Sequence, residues 1–292
     1  MNSYNLGGHS GCKILLIEDD DGHVYVRKVS KDRDYNARLK IQSEKQASFD
    51  GNPIKAPKVL NSGYTTDGLF FFDMEYIQGI TLAEYIKTIE IGKMKGLVEA
   101  LVSSLVPREI PDMTEAEKIK VVETFSTKIS GLRKTLSNAN NKIVDQALDL
   151  LEAHDWSKLT PTQCHGDLTL ENIIIKNDNM YFIDFLDSFY DSWFLDVGTL
   201  LQDVQAMWSY RFEKSVNMNT VLRLIVFRDL LLDEVQNIHS EYIVEIYYAL
   251  LQKLLRIYPY TKDKRTYSFL NEKTKIVLDK IQMLERTPGG TV

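Results

Sequence analysis

The chain has 292 residues, of which 44% are hydrophobic, and this suits one large domain or two lobes with a sizeable core. Its formal charge of −6 argues against a general binder of nucleic acid or of anionic membranes. There is no run of eighteen apolar residues and no apolar signal-peptide core, and the only cysteines are Cys12 and Cys164. We therefore expect a cytoplasmic protein without a disulfide framework that binds neither nucleic acid nor membrane. The sequence does not predict its oligomeric state.

The N-terminal part of the chain predicts a β-rich region. Two apolar strands, residues 13–17 and 24–29, are joined by a turn of three aspartates and a glycine, and a glycine-rich segment at 7–11 precedes them. Glycines in such a bend let backbone N–H groups approach a phosphate closely, although glycines between strands more often form a plain turn. Further support for a phosphate-binding loop must come from downstream residues.

The strand at residues 24–29 carries two cations that are candidates for holding phosphates. Side chains alternate along a strand, so Lys28 shares a face with Val26, whereas Arg27 lies on the opposite face. Because Val26 leaves room for an adenine ring beside the lysine, we prefer Lys28 and keep Arg27 as the alternative. A helical pattern follows, and its Glu44 could pair with Lys28 and fix the ammonium group.

The middle of the chain changes from strand to helix. Residues 68–76 are almost continuously apolar and aromatic, which predicts a strand buried on both faces. From residue 81 onward the pattern is mostly helical. A Thr114–Glu117 capping box predicts the start of one long helix.

The segment 164–184, CHGDLTLENIIIKNDNMYFID, predicts a loop followed by a short β-hairpin. Asp167 at the loop tip can accept a proton from an attacking hydroxyl, while the oxygens of Asn172 and Asp184 are hard ligands that Mg²⁺ prefers. An Asp five residues before an Asn, with a second Asp further on, is the order of a kinase catalytic loop and its metal ligands. The alternative to a catalytic site is that Asp167 only caps a turn and that Asp184 only ends a strand.

Two departures from the protein-kinase pattern point to a particular family. Gly166 stands where protein kinases have arginine, and Leu186 stands where their Asp-Phe-Gly triplet ends. The segment resembles the aminoglycoside phosphotransferase and choline kinase family, small-molecule kinases with a protein-kinase-like fold. The resemblance implies an α+β, two-lobed fold: a small antiparallel β-sheet lobe over residues 1–77, ending in the hinge, and a larger helical lobe over 78–292. ATP and Mg²⁺ would bind between the lobes.

The same resemblance implies roles for residues outside the hairpin. In the glycine-rich segment, Ser10 would be an additional donor to the phosphates. In residues 74–79, which resemble the hinge between the lobes, the carbonyl of Glu75 and the amide of Ile77 would contact the adenine edge. His165 and Asp196 would brace the catalytic loop rather than act as a base or bind metal.

Residues 184–205 contain five aspartates and no Lys or Arg. With Asp184 and Asp196 assigned, Asp187 and Asp191 are candidates for binding the acceptor, and aromatic residues lie among them. Carboxylates beside aromatic faces suit polyhydroxylated or cationic molecules. We therefore expect a small-molecule hydroxyl acceptor, a sugar or amino sugar first and a choline-like amino alcohol second.

Two other functions remain open. One is a protein Ser/Thr kinase, but only eleven residues separate Asp184 from Asp196, which leaves little room for an activation segment. The other is a non-catalytic nucleotide-binding protein on a kinase-like scaffold.

Overall fold

A computed structural model describes residues 2–7, 11–137 and 139–286. The chain folds into two compact units, one of residues 1–85 and 165–188 and the other of residues 86–164 and 189–292. These units do not coincide with the expected lobes, because the segment 165–188 belongs to the first unit although it lies late in the sequence. The lobe boundary after residue 77 stays a prediction.

The first unit contains an antiparallel sheet. Its strands are β1 (Asn2–Asn5), β2 (Lys13–Glu18), β3 (Val24–Val29), β4 (Val59–Tyr64) and β5 (Phe70–Glu75). Within the described residues the strand order is β1-β2-β3-β5-β4. The register of β2 and β3 runs from Lys13 opposite Val29 to Glu18 opposite Val24, so the aspartate-rich turn closes a hairpin as the sequence predicts.

One helix, α1 (Asn36–Ala47), packs on this sheet. Leu39 of α1 is fully buried in a core cluster with Phe72 and Met74 of β5. The other buried positions of α1 are polar, namely Gln42, Ser43 and Gln46. The face that α1 turns inward therefore carries amide groups as well as apolar side chains.

The predicted catalytic hairpin forms a second small sheet in the first unit. Its strands are β6 (Ile80–Thr81), β7 (Ile173–Lys176) and β8 (Asn179–Phe182), in the order β6-β7-β8. The turn residues Asn177 and Asp178 have φ of 48° and 61°, the left-handed conformation that matches the twist of a tight hairpin. The loop at 165–172 enters β7 and Asp184 follows β8, so the pairing of Ile173 with Phe182 holds the end of the loop and Asp184 at the same end of the hairpin.

The second unit is helical. After the short α2 (Leu82–Ile86), its helices are α3 (Ile91–Leu105), α4 (Glu115–Leu136), α5 (Lys142–Ala153), α6 (Trp193–Val204), α7 (Met218–His239), α8 (Ile243–Leu255) and α9 (Lys264–Arg286). The predicted capping box is present at the start of α4, where Thr114 N donates to Glu117 Oε2 at 2.8 Å and Glu117 N donates to Thr114 Oγ1 at 3.3 Å. None of the helices in the described residues has the length and apolar character that crossing a bilayer requires.

Candidate active site

His165 is a fully buried anchor of the catalytic loop. Its Nε2 lies 2.7 Å from Ile183 O, which can only accept, and its Nδ1 lies 3.3 Å from Asp167 N, which can only donate. Nε2 therefore carries the proton and Nδ1 does not, so the imidazole is neutral. The ring also packs on Phe185 with 4.4 Å between centroids. Both nitrogens engage backbone groups, which supports a role for His165 in bracing the loop rather than in accepting a proton; that role stays a prediction.

Gly166 lies where the loop passes close to the segment after Asp184. Its φ is +95°, and a Cβ there would lie 2.2 Å from Ser188 Oγ and 2.9 Å from Leu186 O. Leu186 N also donates to His165 O at 3.0 Å. A larger residue, such as the arginine of protein kinases, does not fit this approach.

Asn172 is held so that one side-chain oxygen remains for a ligand. Its Nδ2 donates to Asp167 O at 2.8 Å, while its backbone O accepts from Ile183 N at 3.0 Å. The side-chain amide is therefore oriented, and Oδ1 is its remaining acceptor atom. This donor set fits a magnesium ion, which prefers carbonyl and carboxylate oxygens.

Asp184 and Lys28 form an ion pair across the first unit. The Lys28 side chain is only 3% exposed, whereas that of Asp184 is 37% exposed. Asp184 has φ of +63°, a left-handed backbone conformation that is uncommon outside glycine and recurs at functional sites. Lys28 Nζ also donates to Gln42 Oε1 at 3.3 Å. The buried cation is thus balanced by the carboxylate that is predicted to bind metal.

The alternative cation, Arg27, has other partners. Its Nε and Nη2 donate to the two carboxylate oxygens of Asp73 at 2.7 and 2.9 Å, and its guanidinium lies 4.2 Å from the centroid of the Phe71 ring. Strand alternation places Arg27 on the face opposite Lys28. The geometry therefore favours Lys28 as the cation beside the hairpin.

The predicted pairing of Glu44 with Lys28 is wrong. The Glu44 side chain is 63% exposed, and its ion-pair partner is Lys40 at 3.9 Å. Gln42 is the residue of α1 that reaches Lys28. Helical spacing contains the missed signal, since Gln42 lies three positions after the buried Leu39, whereas Glu44 falls outside that stripe.

Asp187 is not available for an acceptor in the way the sequence suggests. Its carboxylate accepts from Arg38 Nε at 2.6 Å and Nη2 at 3.2 Å, and from Gln42 Nε2 at 2.8 Å. Burial acts to raise the pKa of Asp187, but the bonds from Arg38 and Gln42 together with the charge of Arg38 lower it below its ordinary value. The expectation overlooked Arg38 because it lies 149 positions away in sequence.

The family model described as the phosphotransferase enzyme family matches residues 5–221. The chain belongs to this family. The resemblance that the hairpin predicts is thereby confirmed. No curated protein matches the chain by sequence.

Solved structures share the fold of this phosphotransferase. A putative fructosamine-3-kinase from Haemophilus somnus 129PT is 15% identical, over 96% of this chain and 91% of that chain, with a TM-score of 0.58. A thermostable mutant of aminoglycoside phosphotransferase APH(4)-Ia, in a ternary complex with AMP-PNP and hygromycin B, is 15% identical over 95% and 93%, with a TM-score of 0.61. The amicoumacin kinase hAmiN is 14% identical over 95% and 88%, with a TM-score of 0.59. The predicted kinase-like α+β fold is confirmed.

The structure also locates four further predicted site residues of this phosphotransferase, and their roles, like those of the hairpin residues, remain predictions. Glu75 and Ile77 lie at the end of β5 and just beyond it, where Glu75 N donates to Lys58 O at 2.9 Å and Ile77 is buried. In the second unit, Asp191 is exposed, while Asp196 is fully buried in the first turn of α6. A fifth, Ser10, lies outside the described residues.

Proposed function

We propose that this protein transfers the γ-phosphoryl group of ATP, with Mg²⁺, to a hydroxyl group of a small molecule. The observation that carries the proposal is the hairpin of the first unit. There an oriented Asn172 amide and a partly exposed Asp184 carboxylate accompany a buried lysine, Lys28. Phosphoryl transfer depends mainly on positioning and on offsetting phosphate charge, and these side chains supply both.

Asn172 Oδ1 and the Asp184 carboxylate would hold the metal ion. When bound there, Mg²⁺ offsets charge on the β- and γ-phosphates. Lys28 Nζ, which donates to Asp184 and Gln42, has the charge and the donors to bind a phosphate oxygen. The backbone carbonyl of Glu75 and the amide of Ile77 would bind the adenine edge.

Asp167 would orient the acceptor hydroxyl and accept its proton. Its backbone is committed, because Asp167 N donates to His165 Nδ1 while its O accepts from Asn172 Nδ2 and Thr169 N. The loop thus fixes the position of the residue, and the carboxylate is partly exposed. A positioned carboxylate of this kind typically contributes about 10²–10⁴-fold to the rate.

The acceptor class is supported by the ligands named for structures with the same fold. The APH(4)-Ia complex contains AMP-PNP and hygromycin B, and hAmiN was solved in complex with AMP-PNP, Ca²⁺ and Ami. A sugar or amino sugar is therefore our first candidate, and a choline-like amino alcohol the second. Of the two aspartates predicted to contact the acceptor, Asp191 keeps that proposed role.

Two alternatives are outcomes of the same test. A protein Ser/Thr kinase would phosphorylate a peptide, and a non-catalytic protein would bind Mg-ATP without turnover. The test is ADP release from Mg-ATP with a panel of sugars, amino sugars, aminoglycosides, choline, ethanolamine, nucleosides and a serine/threonine peptide library. We expect Mg²⁺-dependent ADP release with at least one small-molecule alcohol. Release with peptides alone, or nucleotide binding without release on any acceptor, would overturn the proposal.

A further inference from the structure

Lys28 is a buried cation that needs a fixed partner on α1. In protein kinases this partner is a glutamate, which holds the lysine by an ion pair. Here it is Gln42, a neutral side chain only 2% exposed, whose Oε1 accepts from Lys28 Nζ at 3.3 Å. An amide carries no charge, so its hold on the lysine depends on being turned the right way.

The orientation of the Gln42 amide is set by its other end. Nε2 donates to Asp187 Oδ1 at 2.8 Å and to Tyr35 Oη at 3.0 Å. A carboxylate can only accept, so the NH₂ group must face Asp187 and the carbonyl oxygen must face Lys28. Asp187 thereby determines that Gln42 presents an acceptor to the lysine.

Asp187 is itself fixed by Arg38. The guanidinium makes two hydrogen bonds to the carboxylate, from Nε at 2.6 Å and from Nη2 at 3.2 Å. Such a fork sets both the position and the plane of the carboxylate. Asp187 keeps its negative charge there, since its pKa lies below the ordinary value. The chain of contacts thus runs from Arg38 through Asp187 and Gln42 to Lys28.

The contacts come from one face of α1. Arg38, Gln42 and Lys45 are spaced four and three positions apart, which places them on the same side of a helix. Lys45 Nζ donates to Leu186 O at 2.9 Å and lies 3.4 Å from Ser188 Oγ. All three therefore bind the residues that directly follow Asp184. One helix face holds both Lys28 and the segment that carries the candidate metal ligand.

We propose that Gln42 and Asp187 are positioning residues that together replace the helix glutamate of kinases and aim Lys28 at the nucleotide phosphates. The inference rests on the proposed function for the role of Lys28. It assigns Asp187 to the nucleotide side of the reaction, not to the acceptor. Loss of either residue should therefore alter the kinetics of Mg-ATP and leave the KM of the acceptor unchanged.

The test is a reversal of polarity between the two residues. Gln42→Glu alone still offers an oxygen to Lys28 but sets a carboxylate against Asp187. Adding Asp187→Asn supplies an amide that can donate to the new carboxylate while its oxygen still accepts from Arg38. We expect Gln42→Glu to lower kcat/KM for Mg-ATP about tenfold or more, and the double variant to recover to within about threefold of wild type.

A matched control separates positioning from packing. Gln46 lies one turn further along α1, is 3% exposed, and donates to Pro57 O at 2.8 Å. Gln42→Leu and Gln46→Leu therefore remove the same buried amide from the same helix, and both should lower the melting temperature. We expect only Gln42→Leu to reduce kcat/KM for Mg-ATP about tenfold, with the acceptor KM within about twofold in both variants.

The affinity for Mg-AMP-PNP keeps the two proposals distinguishable. If the wild-type protein phosphorylates no acceptor, the proposed function fails, while the nucleotide affinities of these variants still test whether Gln42 and Asp187 position Lys28. A Gln42→Leu protein that binds Mg-AMP-PNP about fivefold more weakly than Gln46→Leu would support it. Equal affinities and equal kcat/KM in the two leucine variants, or a double variant no better than Gln42→Glu, would overturn it.

Discussion

The two compact units differ in how completely their buried polar side chains are hydrogen-bonded. In the first unit three buried side chains are hydrogen-bonded, namely Lys28, Gln42 and His165. Lys28 donates to Gln42, Gln42 donates to Asp187, and His165 bonds to the backbone carbonyl of Ile183. Among the described residues, the buried side-chain atoms without a hydrogen bond all lie in the second unit: His154 Nε2, Trp193 Nε1, Glu245 Oε2 and both amide atoms of Gln252. Hydrogen bonds therefore fix the orientation of these buried groups in the first unit, whereas each of the unpartnered atoms in the second unit lowers stability.

His154 is a titratable residue of the second unit with a buried side-chain atom that lacks a hydrogen-bond partner. Its ring stacks on Tyr248 at 3.6 Å between centroids and meets Trp156 edge-on at 4.7 Å. Burial, aided by the charge of Lys158, lowers the pKa of His154 to about 4. Unlike His165, it is surrounded mainly by aromatic rings, and its Nε2 has no hydrogen-bond partner.

The largest effect that would sharpen this comparison is expected at Asp184. Asp184→Asn keeps the shape but removes the charge that would hold metal and balance Lys28. We expect kcat/KM to fall on the order of 10³-fold, or about 4 kcal/mol. The stabilisation by Mg-ATP, about 2 to 3 kcal/mol at a hundredfold excess over Kd, should lose its metal-dependent part. Steady-state kinetics and thermal melts with and without Mg²⁺ measure both.

Asp178→Asn is the matched control for that substitution. Asp178 is an exposed aspartate in the turn of the same hairpin. It loses the same charge without touching Lys28, so activity should stay within about twofold of wild type. Similar losses in the two variants would show that general charge, and not the placement of Asp184, controls the reaction.

A second prediction concerns stability at low pH. The unfolded chain protonates His154 near its ordinary pKa of 6.5, whereas the folded protein does so only near 4. Between these values the unfolded state binds an extra proton, so stability falls as pH falls, by about 2 to 3 kcal/mol across the window. His154→Phe keeps the stack on Tyr248 and should lose this part of the pH dependence.

Urea unfolding of both proteins at several pH values between 7 and 4 gives the measurement. A difference in the free energy of unfolding that grows on acidification places the pH dependence in the second unit. Identical slopes for wild type and His154→Phe would contradict that assignment and point to other titrating groups.

The smallest predicted effect is at Glu44. Because its side chain is 63% exposed and lies 3.9 Å from Lys40, Glu44→Gln should change the free energy of unfolding by no more than about 0.5 kcal/mol. Activity with Mg-ATP should stay within about twofold. A loss comparable to that of Gln42→Leu would restore Glu44 as the partner of Lys28.

Sequence reasoning works where the chemistry is local. Asp167, Asn172 and Asp184 lie on one hairpin, so spacing alone identifies them, and strand alternation is enough to favour Lys28 over Arg27. These geometric expectations agree with the structure, although the catalytic roles stay predictions.

Contacts between residues distant in the sequence explain why the expectations for Glu44 and Asp187 differ from the structure. Gln42 and Asp187 are 145 positions apart in the sequence, and protein kinases pair the lysine with a glutamate rather than with an amide. The inward face of α1 is largely polar, so its apolar stripe is reduced to Leu39, and only the three-residue spacing from Leu39 to Gln42 indicates which side chain reaches Lys28. The sequence predicts that Asp187 binds a ligand because it does not show that Arg38 lies beside Asp187 in the fold.

The most direct test of the central claim compares catalysis with binding in Asp167→Asn. This substitution keeps the backbone contacts to His165 and Asn172 but removes the carboxylate that would receive the proton. With an acceptor identified by ADP release, kcat should fall by about 10²-fold or more, while the Kd for Mg-AMP-PNP stays within about twofold. Equal losses in kcat and in nucleotide affinity, or full turnover by the variant, would contradict the account.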